Sequence, residues 1–166
     1  MRKIFVILFI FGLILQIPAD LAEYIIVNTK NIEYIPRFSF FDHQSLVVYG
    51  TSGEDDETEI NEMLAFNVVD FRLKRWLNQP ENVVKILEDS EVTVEHLQKY
   101  NLILVGTPSS NPVLNALSPY LPIKISEDDI TIAEQKFSGD EVGINYRYPN
   151  PANPQRMLWI VSAPSY

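Results

Sequence analysis

Three short and almost uninterrupted apolar runs punctuate the chain: Leu46-Val47-Val48-Tyr49, Leu102-Ile103-Leu104-Val105 and Met157 to Val161. Strands buried on both faces read this way, because neither side of the pleat meets water. The first run ends in Gly50-Thr51-Ser52-Gly53 and the second in Gly106-Thr107-Pro108-Ser109-Ser110-Asn111. A further run, Val83-Val84-Lys85-Ile86-Leu87, is the second strand in chain order. Between the strands the period changes. Ile60, Leu64, Val68, Phe71 and Trp76, widened by Ala65 and Val69, predict a long amphipathic helix that opens in the acidic stretch Glu54 to Glu59. Acids at its start and Arg72, Lys74 and Arg75 near its end suit the helix dipole, and Asn78 and Pro80 stop it. Thr93 is placed to cap a short helix through Tyr100. Ser110 or Asn111 caps another, with Pro112 in its first turn and Val113, Leu114, Leu117 and Leu121 on its buried side.

The order β, α, β, α, β, α predicts an α/β domain over 45–166: a doubly wound, mostly parallel sheet of flavodoxin- or Rossmann-like type built from right-handed crossovers. The three most apolar strands, at Leu46, Leu102 and Met157, belong at its centre. The last third reads as short strands, Ile123 to Ile125, Ile130 to Ile132 and Val142 to Tyr148. Polar turns at Glu127-Asp128-Asp129 and Ser138-Gly139-Asp140 join them, giving an antiparallel hairpin extension near the C-terminus. Pro149 to Pro154 reads as a rigid loop. A central strand has helices on both faces, and little chain follows Val161, so a covering C-terminal helix is expected to be missing and the chain to be a truncated version or fragment.

Upstream, Arg2 and Lys3 precede an apolar run from Ile4 to Ile17 that is broken only by Gly12 and Gln16. That is the pattern of a signal peptide over 1–19, too short for a full membrane span. Cleavage after Ala19 or after Ala22, or retention as an uncleaved N-terminal anchor, all place the domain outside the cytoplasm, secreted or in the cell envelope. Residues 20–44 read as a lead-in strand or hairpin and a connector. Ile25, Val27, Ile32 and Tyr34 alternate about a turn at Asn28 to Asn31, and Pro36, Phe38, Phe40 and Phe41 follow.

Composition narrows the chemistry. The 166 residues include no Cys, which removes disulfides, thiolate metal sites and a Cys nucleophile. The formal net charge of −9 becomes two units more negative without Arg2 and Lys3. Such a surface repels phosphate polymers and anionic lipid, so nucleic acid is not an expected partner, while a protein or a glycan is.

Ligands of doubly wound sheets bind at the carboxyl ends of strands. The candidate ligand-binding residues are therefore Thr51, Ser52, Gly53, Thr107, Ser109, Ser110 and Asn111, which offer hydroxyls and amides at helix N-termini. Tyr49-Gly50-Thr51-Ser52-Gly53 followed by Thr58-Glu59 looks like the phosphate loop of flavodoxins, and Val105-Gly106-Thr107-Pro108 like their second loop. Glu54, Asp55, Asp56 and Glu57 put carboxylates where a phosphate would sit, so no cofactor is the expectation and flavin mononucleotide the alternative. Gly50 to Glu54 falls one residue short of the G-x-S-x-G elbow of a serine hydrolase. His43 and His96 are the only histidines, and neither follows the strand core, so no catalytic residue is assigned. The acidic clusters Glu54 to Glu59 and Glu127 to Asp129 lack calcium-loop spacing, and no zinc set is present. Trp76 and Trp159 read as core, and Tyr146 and Tyr148, alternating with Arg147, as a candidate exposed strip.

Four stretches occur in an order that resembles a known family: Phe40 to Gly53 (FFDHQSLVVYGTSG), Asn101 to Leu114 (NLILVGTPSSNPVL), Leu121-Pro122-Ile123 and Gly143 to Arg156 (GINYRYPNPANPQR). They resemble the α/β accessory domain of exported bacterial and archaeal multidomain proteins, including ones with prolyl-oligopeptidase-like or esterase-like domains. The resemblance spans Pro36 to Pro164. It implies an accessory or interaction module beside a catalytic or surface domain, and it implies no catalytic residues. No partner domain accompanies it in this sequence.

Overall fold

The computed structural model describes residues 44–70, 84–139 and 142–163. The export segment, the lead-in strands, His43 and the helical stretch from Phe71 to Pro80 with Trp76 lie outside the described residues. The elements in chain order are β1 (Ser45–Tyr49), α1 (Asp55–Asn67), β2 (Val84–Glu88), α2 (Val94–Lys99), β3 (Asn101–Val105) and α3 (Pro112–Leu117). They continue with β4 (Ile123–Ile125), β5 (Asp129–Ile132), β6 (Gln135–Ser138), β7 (Ile144–Asn150) and β8 (Asn153–Ser162).

A five-stranded sheet runs in the order β2-β1-β3-β8-β7. The first four strands are parallel and β7 is antiparallel to β8. The three interior strands are those whose sequences are most apolar, as expected of segments with no face in water. Register aligns their side chains in rows. Leu46, Leu102 and Leu158 share one row and Val48, Leu104 and Ile160 the next, all on one face. Val47, Ile103 and Trp159 line the other. The first face packs against Leu97 of α2 and Val113, Leu114 and Leu117 of α3. The second packs against Ala65 of α1 and the residues just beyond it, Val68 and Val69. Helices therefore cover opposite faces of one mixed, mostly parallel sheet.

Several sequence expectations need correction. The apolar spacing puts Ile60 on the buried stripe of α1, yet it is half-exposed and the neighbouring Asn61 is fully buried. The Pro149–Pro154 segment is not a loop. Pro149 and Asn150 still belong to β7, and β8 begins at Asn153. Only Pro151 and Ala152 turn, in a tight hairpin held by Ala152 N donating to Asn150 Oδ1 at 2.9 Å. The antiparallel extension is also two structures rather than one. β7 extends the main sheet, whereas β4, β5 and β6 form a separate three-stranded antiparallel sheet. β6 went unread because Gln135-Lys136-Phe137-Ser138 is exposed throughout and carries no alternation. Its turn lies at Ala133-Glu134, both with positive φ, as a two-residue hairpin requires. Ile123 and Ile130 anchor this sheet under α3 in the same core cluster.

The asparagines and arginine of the PNPANPQR segment have a defined task. The last carbonyls of a helix lack intrahelical donors. At the end of α2, Leu97 O accepts from Asn150 Nδ2 at 2.8 Å, Gln98 O from Asn153 Nδ2 at 2.6 Å and Lys99 O from Arg156 Nε at 2.7 Å. A hairpin of the sheet thus terminates a helix from outside. The other end of α2 is capped by Thr93, as its sequence predicts, with His96 N donating to Thr93 Oγ1 at 3.4 Å. Tyr146 and Tyr148 do not form an exposed strip. Their rings stack with centroids 6.0 Å apart and lie half-buried against the core. On the opposite face Arg147 lies over the Trp159 ring, 4.8 Å from its centroid. None of the helices among the described residues is long and apolar enough to cross a membrane.

Candidate functional site

β1 and β3 are neighbours, but α1 leaves β1 for one face and α3 leaves β3 for the other. Ligand crevices of open α/β sheets form at such divergences, at the carboxyl ends of the strands. The two glycine-ended loops meet there. Gly50 N donates to Val105 O at 3.0 Å and Ser52 N to Ser110 O at 2.9 Å, so the loops are zipped backbone to backbone. This closeness demands glycine. A Cβ on Gly50 would lie 2.7 Å from the carbonyl carbon of Ser110 and 2.9 Å from Asn111 Cβ. Gly106 sits at φ +114°, where only glycine is at ease.

The polar groups of the crevice are turned on one another. The Thr107 hydroxyl has one proton, which it donates to Glu57 Oε1 at 3.2 Å, and it lies 2.8 Å from Ser109 Oγ. Thr107 N donates to Ser110 Oγ at 3.0 Å and Ser110 N to Thr107 Oγ1 at 3.2 Å, a reciprocal turn. Asn61, reaching up from α1, donates to Gly50 O at 3.1 Å. Asn111 spans three elements. Its Oδ1 accepts from Leu114 N at 3.1 Å, capping α3, while its Nδ2 donates to Val105 O at 3.0 Å and Val48 O at 3.4 Å. Of the two capping choices that the sequence leaves open, Asn111 is the one used. At the outer edge Asp89, just after β2, grips Thr51 twice, through N at 2.8 Å and Oγ1 at 2.7 Å.

All seven sequence candidates therefore gather at this rim. Thr107, Ser110 and Asn111 are buried, Thr51 and Gly53 are half-buried, and Ser52 and Ser109 face solvent. Three participants were not among them: Glu57, Asn61 and Asp89. Asp89 could have been found by position, since it follows a strand as the other loops do. Asn61 carries a weaker signal, a polar residue beside an otherwise apolar stripe.

This geometry bears on each chemistry considered. An anion cradle needs amides free to point at the ligand. Here the amides of Thr51, Ser52, Thr107 and Ser110 already donate within the protein, and the Glu57 carboxylate occupies the space between the loops. A serine nucleophile needs a base within hydrogen-bond reach. His96 instead sits on α2, where its Nδ1 accepts from Thr93 N at 3.1 Å. Among the described residues no group of three or more His, Asp or Glu side chains could hold a metal ion. Within the Glu127–Asp129 cluster, Asp129 is engaged otherwise. Asp129 pairs with Lys136 at 2.8 Å, and that hydrogen bond holds its carboxyl below the usual range. Below the crevice, burial and then the Glu88 carboxylate push the Tyr49 hydroxyl up to about 12, which keeps it neutral. No protein-family model matches the chain, and no curated protein matches its sequence.

Proposed function

We propose that this chain is a non-catalytic, extracytoplasmic accessory or binding domain of doubly wound, flavodoxin-like type, of the kind that accompanies secreted hydrolase-type proteins. The observation that carries this reading is the self-satisfied rim. The architecture's usual ligand crevice is filled by Glu57, Thr107 and Ser110, which bond one another, and by Asn111, whose side chain bonds the backbone of Leu114, Val105 and Val48. Opening it to a ligand would leave buried donors and acceptors unpaired, at about 1–3 kcal/mol each. The strand order and the placement of helices on opposite faces support the doubly wound assignment, and the charged n-region with its apolar run supports export. The partner is a protein or a glycan.

A second reading has one observation in its favour. Two glycine-ended loops lie side by side where the strand order diverges, which is where flavodoxins hold flavin mononucleotide. Titrating the purified chain with the flavin while following its fluorescence separates the two, and p-nitrophenyl ester hydrolysis tests the serine-hydrolase alternative. The accessory reading expects no quenching, and background hydrolysis that is the same in Ser52→Ala. Saturable quenching, or hydrolysis abolished by Ser52→Ala, would overturn it.

A further inference from the structure

The outer face of α1 is the opposite of the rim. The helix buries Asn61 and Ala65 against the sheet, yet its other side carries Met63 and Phe66, each 55% exposed. Together with Ile60, Glu59 and Glu62 they line a shallow depression of about 400 Å³. Single exposed hydrophobics are ordinary on a protein surface, but two large ones on one helix face with an apolar floor between them are not. The charge around them is one-sided. Glu59 and Glu62 share the lining, and α1 itself, Asp55–Asn67, carries no lysine or arginine.

We propose that this face docks a basic, amphipathic helix of a partner polypeptide; the proposal rests on the binding-domain reading above and names the partner's chemistry. Both halves of the description follow from the surface. Residues 60, 63 and 66 lie on one i±3 row that crosses the helix obliquely, and the side chains of a second helix can interdigitate with such a row. Methionine adapts to an irregular partner better than a branched side chain does. The rim then selects the charge. A neutral apolar partner would strip water from Glu59 and Glu62 without replacing it, and an acidic one would be repelled. Lysine or arginine flanking the partner's apolar stripe answers both carboxylates, and their stems cover the rim of the depression.

The test titrates the full chain with a designed leucine/lysine amphipathic helix, its scrambled counterpart of identical composition and a leucine/glutamate version. The leucine/lysine helix should bind at least about tenfold tighter than the scrambled peptide. Binding should weaken by about the same factor in Met63→Gln with Phe66→Gln, a pair that keeps helix propensity. It should lose its salt dependence in Glu59→Gln with Glu62→Gln. Equal binding of the scrambled peptide, or an unchanged affinity in the Met63/Phe66 variant, overturns the proposal. So does protection of Met63 from oxidation in the free chain, which would mean that the face is already covered. Self-association of the chain that the same variant abolishes overturns it in favour of a second copy. A partner from an envelope extract whose capture survives that variant sinks the docking face alone, whereas a positive flavin or esterase result sinks the reading beneath it.

Discussion

The strand-end rim and the outer face of α1 stand in opposite states. The rim is polar, dense in hydroxyls and amides, and placed at the carboxyl ends of the parallel strands. The α1 face is apolar and lies where a helix ordinarily presents charge to water. Yet Thr107, Ser110 and Glu57 at the rim are engaged with each other, while among the described residues nothing buries Met63 and Phe66. A surface acts through what it leaves unsatisfied. Polar composition at a strand end is consistent with a ligand site or with a knot that fastens two loops, and only the hydrogen-bond accounting tells them apart.

If the rim is a knot, its tightest point should tolerate the least change. Gly50→Ala is the largest effect expected. The added methyl meets backbone and Cβ of the facing loop rather than the end of a flexible side chain, so the zipper itself must part. A loss of about 3 kcal/mol or more is expected, comparable to overpacking a core, and a urea midpoint reads it directly. A loss under about 1 kcal/mol would show loops free to separate, and so a crevice able to open to a ligand.

Asn111 distinguishes a knot from a simple helix cap. Asn111→Ala removes the cap of α3 and the donor to two buried carbonyls, for about 2–3 kcal/mol. Asn111→Asp is the sharper variant. Aspartate caps helices as well as asparagine does, so a residue that only caps would tolerate it. At this site the Nδ2 donor becomes a second oxygen facing Val105 O at hydrogen-bond distance. The aspartate should therefore cost at least as much as the alanine, measured by the same denaturation.

How much of this could be read from the chain follows from which physics is local. The three interior strands were legible because full burial leaves an unbroken apolar run, and Thr93 and Pro112 were legible because capping is decided within four residues, which also narrowed the α3 cap to Ser110 or Asn111. The rim's location followed from strand order. Its content did not, since Asp89 meets Thr51 and Glu57 meets Thr107 only through tertiary approach. The same holds for Asn150, Asn153 and Arg156. Between prolines they read as loop, and the helix end that they close lies more than fifty residues upstream. β6 was illegible for a different reason: with both sides in water, nothing imposes an alternation. Met63 and Phe66 were passed over because the stripe that faces the sheet accounts for the helix without them.

The α1 face supplies the smallest expected effect, and its smallness is the point. In Met63→Gln with Phe66→Gln, helix propensity is nearly unchanged and little buried apolar area is lost, since both side chains are more than half exposed. Stability should stay within about 0.5 kcal/mol of the parent chain, against several for Gly50→Ala. Two large apolar side chains that add nothing to the fold are what a docking face would show. A loss above about 1 kcal/mol in this variant would mean that the two side chains are buried by the chain itself in solution, and the contrast between the two regions would vanish.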